Sequence, residues 1–170
     1  LTDASSMSDL ATTVDIHFEK RSNRQRVICN GEDITELIRS PVINAQVSKA
    51  AAHPQVRKIM VEKQQRMARA HNVVMDGRDI GEHVLPAATF KFFVTAALEE
   101  RVERRMLEME KQGYTTDRDS IRQDVSNRDR MDSERATGAL KLLPDAVIID
   151  TTGRTAEEVL AHTLSIVEKQ

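Results

Sequence analysis

The 170-residue sequence contains few aromatic residues and a single cysteine. One Tyr, four Phe and no Trp are too few for the base-stacking surface of an RNA-recognition or single-strand-binding fold. Cys29 has no second cysteine with which to form an internal disulfide, and no apolar run approaches the roughly 18 residues of a membrane span. Because 25 basic residues nearly balance 27 acidic ones, net charge favours neither nucleic acid nor an anionic membrane. We therefore expect a cytoplasmic monomer that binds no nucleic acid polymer and no membrane.

Glycine is also scarce, and several catalytic motifs are missing. The six glycines cannot be arranged as a G-x-x-x-x-G-K phosphate loop, and neither H-E-x-x-H nor G-x-S-x-G occurs. Zinc sites and hydrolytic triads are therefore unsupported. Arginine, by contrast, outnumbers lysine by 17 to 8, and its planar guanidinium group matches phosphate and carboxylate oxygens two at a time.

Hydrophobic patterning predicts a small lobe followed by an α/β core. After a polar segment at residues 1–13, alternation over residues 14–31 predicts an antiparallel hairpin. Helical patterns follow up to residue 70: Asp33 is placed to cap ITELIRS, and Pro41 and Pro54 separate the next helices. We therefore expect one lobe at residues 14–70 and the core at residues 71–170.

Three short apolar runs predict parallel strands buried on both faces of a sheet: NVVM, FKFFVTA and AVIID. Helices are expected from Ala97 to about Gln112, from about Asp119 to Arg135, and after a capping sequence at Thr155. The fold class is therefore α/β, with crossing helices and a lobe inserted ahead of the first of these strands.

The residues that follow the first apolar run are the richest candidate site, because ligands bind beyond the carboxyl ends of parallel strands. There Asp76-Gly77-Arg78-Asp79 offers a turn, a cation for an anionic group and a carboxylate that can accept from an amino group. Asp76 also resembles the acidic end of a nucleotide-binding strand that holds Mg²⁺ through water. The alternative is a polar loop with an internal salt bridge between Arg78 and an aspartate of the loop.

A second candidate lies on the 119–135 helix. Steps of three and four from Ile121 and Val125 reach Arg128, Asp132 and Arg135, so the apolar stripe becomes ionic. Burying such charges without partners costs several kcal/mol each, roughly. Either this half of the helix faces solvent, or it lines a polar cleft in which a ligand completes the pairing.

The helix that starts near Ala97 carries EERVERR. Glu100 and Arg104 form an i,i+4 pair worth only about 0.3–0.5 kcal/mol when exposed. A solvated amphipathic surface therefore accounts for most of this segment.

Taken together and in order, GEDIT with IRS, SKAAAHPQVR, DGRDIG, EERVERRM and RDRMDSER resemble the bacterial cytidylate kinases, a family of P-loop nucleoside monophosphate kinases. The likeness extends from about Val14 to the end of the chain. It implies a P-loop NTPase-like parallel sheet in which the lobe is the monophosphate-binding insert, and a reaction that transfers phosphate from ATP, with Mg²⁺, to CMP or dCMP.

The resemblance also implies roles for particular residues. Ser48, Arg57 and Asp79 match positions around cytosine, and a carboxylate accepts from the cytosine N4 amino group but repels the O4 of uracil. Arg128 and Asp132 match ribose contacts, and Arg78 and Arg135 match contacts to the α-phosphate. A lid over ATP is expected at about residues 99–118, and its catalytic arginines match Arg104 and Arg105.

The chain departs from the family pattern at its start. The family begins with a strand, a glycine-rich loop, a helix and a second strand, and no such elements precede the hairpin here. We therefore expect this chain alone to be inactive, because the backbone cradle for the ATP phosphates is missing. Two alternatives stay open: a kinase for UMP or AMP, and a non-catalytic helical interaction protein.

Overall fold

The computed structural model divides the chain into two compact units, residues 1–75 and 76–170. The structure describes residues 3–22, 24–51, 53–111, 113–115, 117–135 and 138–169. The predicted lobe at 14–70 falls within the first unit, and its exact boundaries stay a prediction. No described helix is both long and apolar enough to cross a membrane.

The first unit begins with helix α1 (Ala4–Thr13), in the segment predicted only to be polar. Asp3 caps this helix by accepting a hydrogen bond from the backbone N–H of Ser5. At the other end, Lys63 donates to the carbonyls of Thr12, at 3.2 Å, and Val14, at 2.5 Å. A lysine from a later helix thus satisfies carbonyl groups that the end of α1 leaves unpaired.

The predicted hairpin is confirmed. Strands β1 (Ile16–Arg21) and β2 (Arg24–Cys29) pair antiparallel, with Arg21 opposite Arg24 and Glu19 opposite Arg26. A short third strand, β3 (Glu32–Asp33), adds to β2 and was not predicted. The two-residue link from β2 to β3 turns through Asn30 and Gly31, which both have positive φ, and this tight turn brings the chain back onto β2.

The predicted helix capped by Asp33 is wrong. Only a 3₁₀ turn, Leu37–Arg39, forms in ITELIRS, because Asp33 accepts instead from the backbone N–H and the hydroxyl of Thr35. This local bond competes with helix formation. Helices α2 (Pro41–Ala51) and α3 (Pro54–Ala70) then begin at the two prolines, as predicted.

The second unit contains one parallel pair, β4 (Phe92–Thr95) and β5 (Val147–Asp150), in the register Phe92 to Val147 and Thr95 to Asp150. The strand predicted from NVVM is not formed: in the described chain, residues 72–76 have no ladder partner, and Val73 and Val74 are exposed. An apolar run alone does not make a strand, because a strand also needs a neighbour with which to exchange hydrogen bonds.

Burial on both faces of the sheet was also predicted, and it is wrong for the pair that forms. Ile149 is almost fully buried, whereas Val94, Val147 and Ile148 are exposed. Val147 and Ile149 point to the same face of β5, so within the described residues burial is confined to part of the sheet and does not extend over a whole face.

The three predicted helices of the second unit are confirmed as α4 (Leu98–Lys111), α5 (Arg118–Glu134) and α6 (Ala156–Val167). Gln112, the predicted end of α4, lies outside the described residues. Thr155 and Glu158 form the capping box at the start of α6. Helices α4 and α5 contribute Val102 and Ile121 to the core.

Ion pairs join the exposed surfaces of α4 and α5. Arg118 bonds Glu99 at 3.0 Å and Glu103 at 2.9 Å, and Arg101 bonds Asp129 at 2.7 Å. Because Arg118 opens α5 and Asp129 lies near its other end, the pairs hold two places on α5 against the first turns of α4.

Candidate functional site

The Asp76–Asp79 loop leads into a single π-helical turn, Ile80–Val84. The carbonyl of Asp79 accepts from the backbone N–H groups of Glu82, at 3.2 Å, and His83, at 2.9 Å. Such turns are rare and are often found at functional sites. The turn follows the loop directly, so it fixes where the loop ends and therefore the position from which Arg78 reaches Asp132.

Gly77 is required by close packing rather than by backbone conformation. Its φ is not positive, but a Cβ at this position would lie 2.7 Å from Cγ1 of Ile80. The chain bends at residues 77–79, as the sequence predicted, and Gly77 also makes room for the Ile80 side chain.

Asp132 is the centre of the candidate site. Its side chain is 5% exposed, and its Oδ2 accepts from Nε of Arg78 at 2.5 Å. Its Oδ1 lies 2.8 Å from Nη2 of Arg135, and Nε of Arg128 lies 4.0 Å from Oδ2. Three guanidinium groups thus converge on one carboxylate.

This arrangement decides between the interpretations of the loop and of the stripe. Among the described residues, Arg78 pairs with Asp132 of α5 rather than with an aspartate of its own loop, so the alternative of an internal salt bridge is wrong. The stripe turns inward at Asp132 and Arg135, whereas the side chain of Arg128 is 75% exposed, as the solvated-face alternative expects.

The chemistry of the cluster is that of an anion site. One carboxylate offsets part of the charge of three arginines, Arg78, Arg128 and Arg135, so the cluster keeps a net positive charge. The carboxylate also fixes the directions of the Arg78 and Arg135 guanidinium groups, which then retain N–H donors for phosphate oxygens.

The two arginines predicted in a lid both have partners within the second unit. Arg104 donates to the hydroxyl of Thr151 at 3.0 Å and to its carbonyl at 2.7 Å, and it pairs with Glu100 at 3.1 Å. Arg105 pairs with Glu108 at 2.6 Å, and both of these side chains are half exposed. Arg104 is therefore attached to the end of β5, while Arg105 lies on the surface of α4.

The carboxyl end of β5 contains polar groups that were not predicted from the sequence. Thr151 is buried and donates through its hydroxyl to the carbonyl of Thr95 at 3.0 Å. Hydrogen bonds from the side chain and backbone of Thr152 hold the pKa of Asp150 below its usual value. The sequence signal was present: Asp150 directly follows the apolar run AVII, as Asp76 follows NVVM.

The link between Arg101 and Asp129 was also missed. Arg101 donates to the carbonyl of Ala96 at 3.1 Å as well as to Asp129 of α5. No periodicity pairs these residues, because they lie on different helices, so the contact required the tertiary structure.

The remaining predicted residues are divided between the two units. Ser48 lies on α2, and its side chain is outside the described part of the structure; Arg57 lies partly buried in the first turn of α3. Both belong to the first unit, whereas Asp76 and Asp79 belong to the second. The structure therefore brings together Arg78, Arg128, Asp132 and Arg135 of the predicted set.

Within the described residues, no group of three or more His, Cys, Asp or Glu side chains is placed to hold a metal ion. Asp76 is exposed, and among these residues it has no hydrogen-bond or ion-pair partner. Its carboxylate is of the kind that Mg²⁺ prefers when a nucleotide supplies the other ligands.

Comparison with known proteins gives one consistent family. The sequence profile of the family "Cytidylate kinase" matches residues 1–169. A protein named cytidylate kinase from Bacillus cereus (strain B4264) is 43% identical over 161 residues, which cover 95% of this chain and 72% of that protein. The cytidylate kinase of Symbiobacterium thermophilum is 40% identical over 164 residues, covering 96% and 73% of the two chains. One from Bacillus thuringiensis (strain Al Hakam) is 42% identical over 161 residues, or 95% and 72%.

Proposed function

The chain belongs to the cytidylate kinase family, and from this premise we propose that it serves the transfer of the γ-phosphoryl group of ATP to CMP or dCMP, with the Asp132 cluster binding the nucleotide that accepts the phosphate. The products are ADP and CDP or dCDP. The observation that carries the assignment of the site is the convergence of three arginines on one buried carboxylate. A nucleoside monophosphate is a small anion that such a cluster binds.

We assign the residues of the cluster to two parts of the nucleotide, the α-phosphate and the ribose. Arg78 and Arg135 are the better held of the three arginines, at 2.5 and 2.8 Å from the carboxylate, and we assign them to the α-phosphate. Arg128 is the most exposed and is assigned to the ribose. Asp132 already accepts from two arginines, but each carboxylate oxygen has a second lone pair for a ribose hydroxyl.

Recognition of cytosine is assigned to Asp79, with Ser48 and Arg57. A carboxylate accepts a hydrogen bond from the N4 amino group of cytosine, whereas it repels the O4 oxygen of uracil. The family match favours this choice over the alternative substrates UMP and AMP, and over a non-catalytic interaction protein.

The phosphate donor is ATP with Mg²⁺. Asp76 is exposed and unpaired among the described residues, so its carboxylate fits a place beside a nucleotide-bound Mg²⁺. When bound, Mg²⁺ neutralises charge that develops on the transferring phosphate. Arg104 and Arg105 are assigned to the same transfer, and since both already have acidic or carbonyl partners, these contacts must loosen as the arginines reach the phosphates.

Thermal unfolding in the presence of CMP, UMP or AMP tests the substrate assignment without requiring turnover. A ligand at 100 times its dissociation constant adds about 2.7 kcal/mol to the free energy of unfolding, and at equal concentration the ligand with the lowest dissociation constant adds most. CMP should therefore raise the melting temperature more than the same concentration of UMP or AMP does.

The Asp79→Asn variant tests the origin of this preference. An amide can present a donor to uracil O4 as well as an acceptor to cytosine, so we expect the difference between CMP and UMP to shrink. Equal shifts for all three nucleotides in the unsubstituted protein would refute cytosine recognition, and an unchanged CMP preference in Asp79→Asn would remove Asp79 from it.

A further inference from the structure

One face of the β1–β2 hairpin carries three arginines. Residues directly opposite in an antiparallel pair point to the same face, and so do residues two apart on one strand. The register therefore places Arg21, Arg24 and Arg26 on one face together with Glu19, which is opposite Arg26, and Gln25 on the other face. None of these residues belongs to the site described above.

The three arginines differ in how they are neutralised. Nη2 of Arg21 lies 2.8 Å from Glu19, and Nη1 of Arg26 lies 2.6 Å from Asp33. Arg24 has no acidic partner among the described residues, although Arg21 faces it directly across the ladder. Like charges at opposed positions destabilise a strand pair, so an anion beside Arg24 would relieve a repulsion that the hairpin itself leaves in place.

Arg24 also lines an open pocket of about 770 Å³ in the first unit. That volume is in the range of small-molecule sites. The other lining residues come from β2 and from residues 33–39, which include the end of β3 and the 3₁₀ turn, namely Gln25, Arg26, Asp33, Thr35, Glu36 and Arg39.

The acidic members of the pocket limit what it accepts. Asp33 is ionised, because hydrogen bonds from Thr35 and the charge of Arg26 hold its pKa below the usual value. A long nucleic acid lying across the pocket would bring phosphates against Asp33 and Glu36, whereas a short phosphate chain can meet Arg24 without spanning the pocket.

We propose that the arginine face formed by Arg21, Arg24 and Arg26 binds the phosphate chain of a small ligand, a nucleoside triphosphate or an inorganic polyphosphate, at a second site separate from the Asp132 cluster. The guanidinium group of Arg24 supplies donors that no residue of the described chain occupies. Arg26, which Asp33 orients, supplies a second guanidinium group beside that of Arg24.

Titration of the ¹⁵N-labelled full chain with inorganic tripolyphosphate tests this site, with ATP in a parallel titration. We expect amide shifts at Arg24, Arg26 and Thr35, and an affinity about tenfold lower in Arg24→Gln, as the loss of one charge-assisted pair predicts. Arg24→Lys keeps the charge but loses the planar guanidinium group, so its affinity should lie between those of the unsubstituted chain and Arg24→Gln. The matched control is Arg69→Gln, an exposed arginine of α3 in the same unit, which should leave the affinity unchanged.

Each outcome decides the proposal. Equal affinity for ATP and tripolyphosphate assigns recognition to the phosphate chain alone, and tighter ATP binding identifies a nucleoside triphosphate. Shifts confined to Arg78 and α5, or equal losses in Arg24→Gln and Arg69→Gln, would overturn the second site. So would binding of a single-stranded oligonucleotide without binding of tripolyphosphate. Because the readout is the location of binding, the proposed phosphoryl transfer can fail without affecting this result.

Discussion

Replacing Asp132 by Asn separates the role of this carboxylate in binding from its role in stability. The substitution keeps the size of the side chain but removes the charge that attracts Arg78 and Arg135. Hydrogen bonds to a charged group contribute about 1.5–3 kcal/mol each. Removing one partner of a fully buried ion pair costs roughly 3–5 kcal/mol, because a buried charge is left uncompensated.

The structure places the expected cost below that range. The side chains of Arg78 and Arg135 are 39% and 35% exposed, so water can solvate them once the carboxylate is neutral. An asparagine oxygen also keeps one acceptor for one of the two arginines. We therefore expect the free energy of unfolding to fall by about 2 kcal/mol.

The effect on nucleotide binding should be larger. Without the charge of the carboxylate, both arginines are held more weakly in the direction that meets the α-phosphate, and each misaligned contact costs about a factor of ten, or ~1.4 kcal/mol. CMP affinity should therefore fall by about 100-fold in Asp132→Asn.

Isothermal titration with CMP and urea unfolding of the same samples measure the two quantities. The control is Asp124→Asn, which removes an exposed carboxylate from the same helix and should change neither. Unchanged CMP affinity in a folded Asp132→Asn protein would refute the site. Loss of folding in both Asp132→Asn and Arg135→Ala would show that the cluster is structural.

Three further predictions concern the surroundings of the site. A hydrogen bond from Arg118 of α5 lowers the pKa of Glu99 in the folded protein. The contribution of Glu99 to stability is therefore present above its unfolded-state pKa and is lost as the pH falls through its folded-state pKa. Glu99→Gln should be destabilising at pH 7, and the difference in the free energy of unfolding should vanish in urea titrations at acid pH. Gly77→Ala should lower the free energy of unfolding by about 1–3 kcal/mol because the added methyl group overlaps Ile80. Arg104→Gln should cost about 1–2 kcal/mol, since it removes hydrogen bonds to buried Thr151.

Matched variants check these three results. A pH-independent cost of Glu99→Gln would contradict the ion-pair explanation. In an Ile80→Ala background the cost of Gly77→Ala should largely disappear, and a persistent cost would point to the backbone instead. Arg105→Gln, which loses only an exposed pair to Glu108, should change stability by less than about 0.5 kcal/mol.

Local signals predicted the elements that depend on neighbours in sequence. Pro41 and Pro54 begin helices, Thr155 caps the last helix, and the alternation around Phe18 forms the hairpin. Asp33 shows the limit, because its choice between capping a helix and bonding Thr35 depends on small differences that composition does not reveal.

The candidate site was predicted in part because helical periodicity links its members. Steps of three and four along α5 place Arg128, Asp132 and Arg135 on one face from their spacing alone. Periodicity could not supply Arg78, which reaches Asp132 from a loop 54 residues away in sequence. Nor could it show that Val74 lacks a strand partner, since ladder pairing is a tertiary property.

The bonds of Arg118 and Arg101 across α4 and α5 make the placement of α5 sensitive to the electrolyte. These pairs are solvent-accessible, and screening shortens the Debye length from about 8 Å at physiological ionic strength to about 3 Å in 1 M salt. Since Asp129 lies one turn before Asp132 on the same helix, concentrated salt would relax the support of the nucleotide-binding residues as well as compete for the ligand. Affinities obtained in such buffers would combine both effects, and a dilution series would separate them.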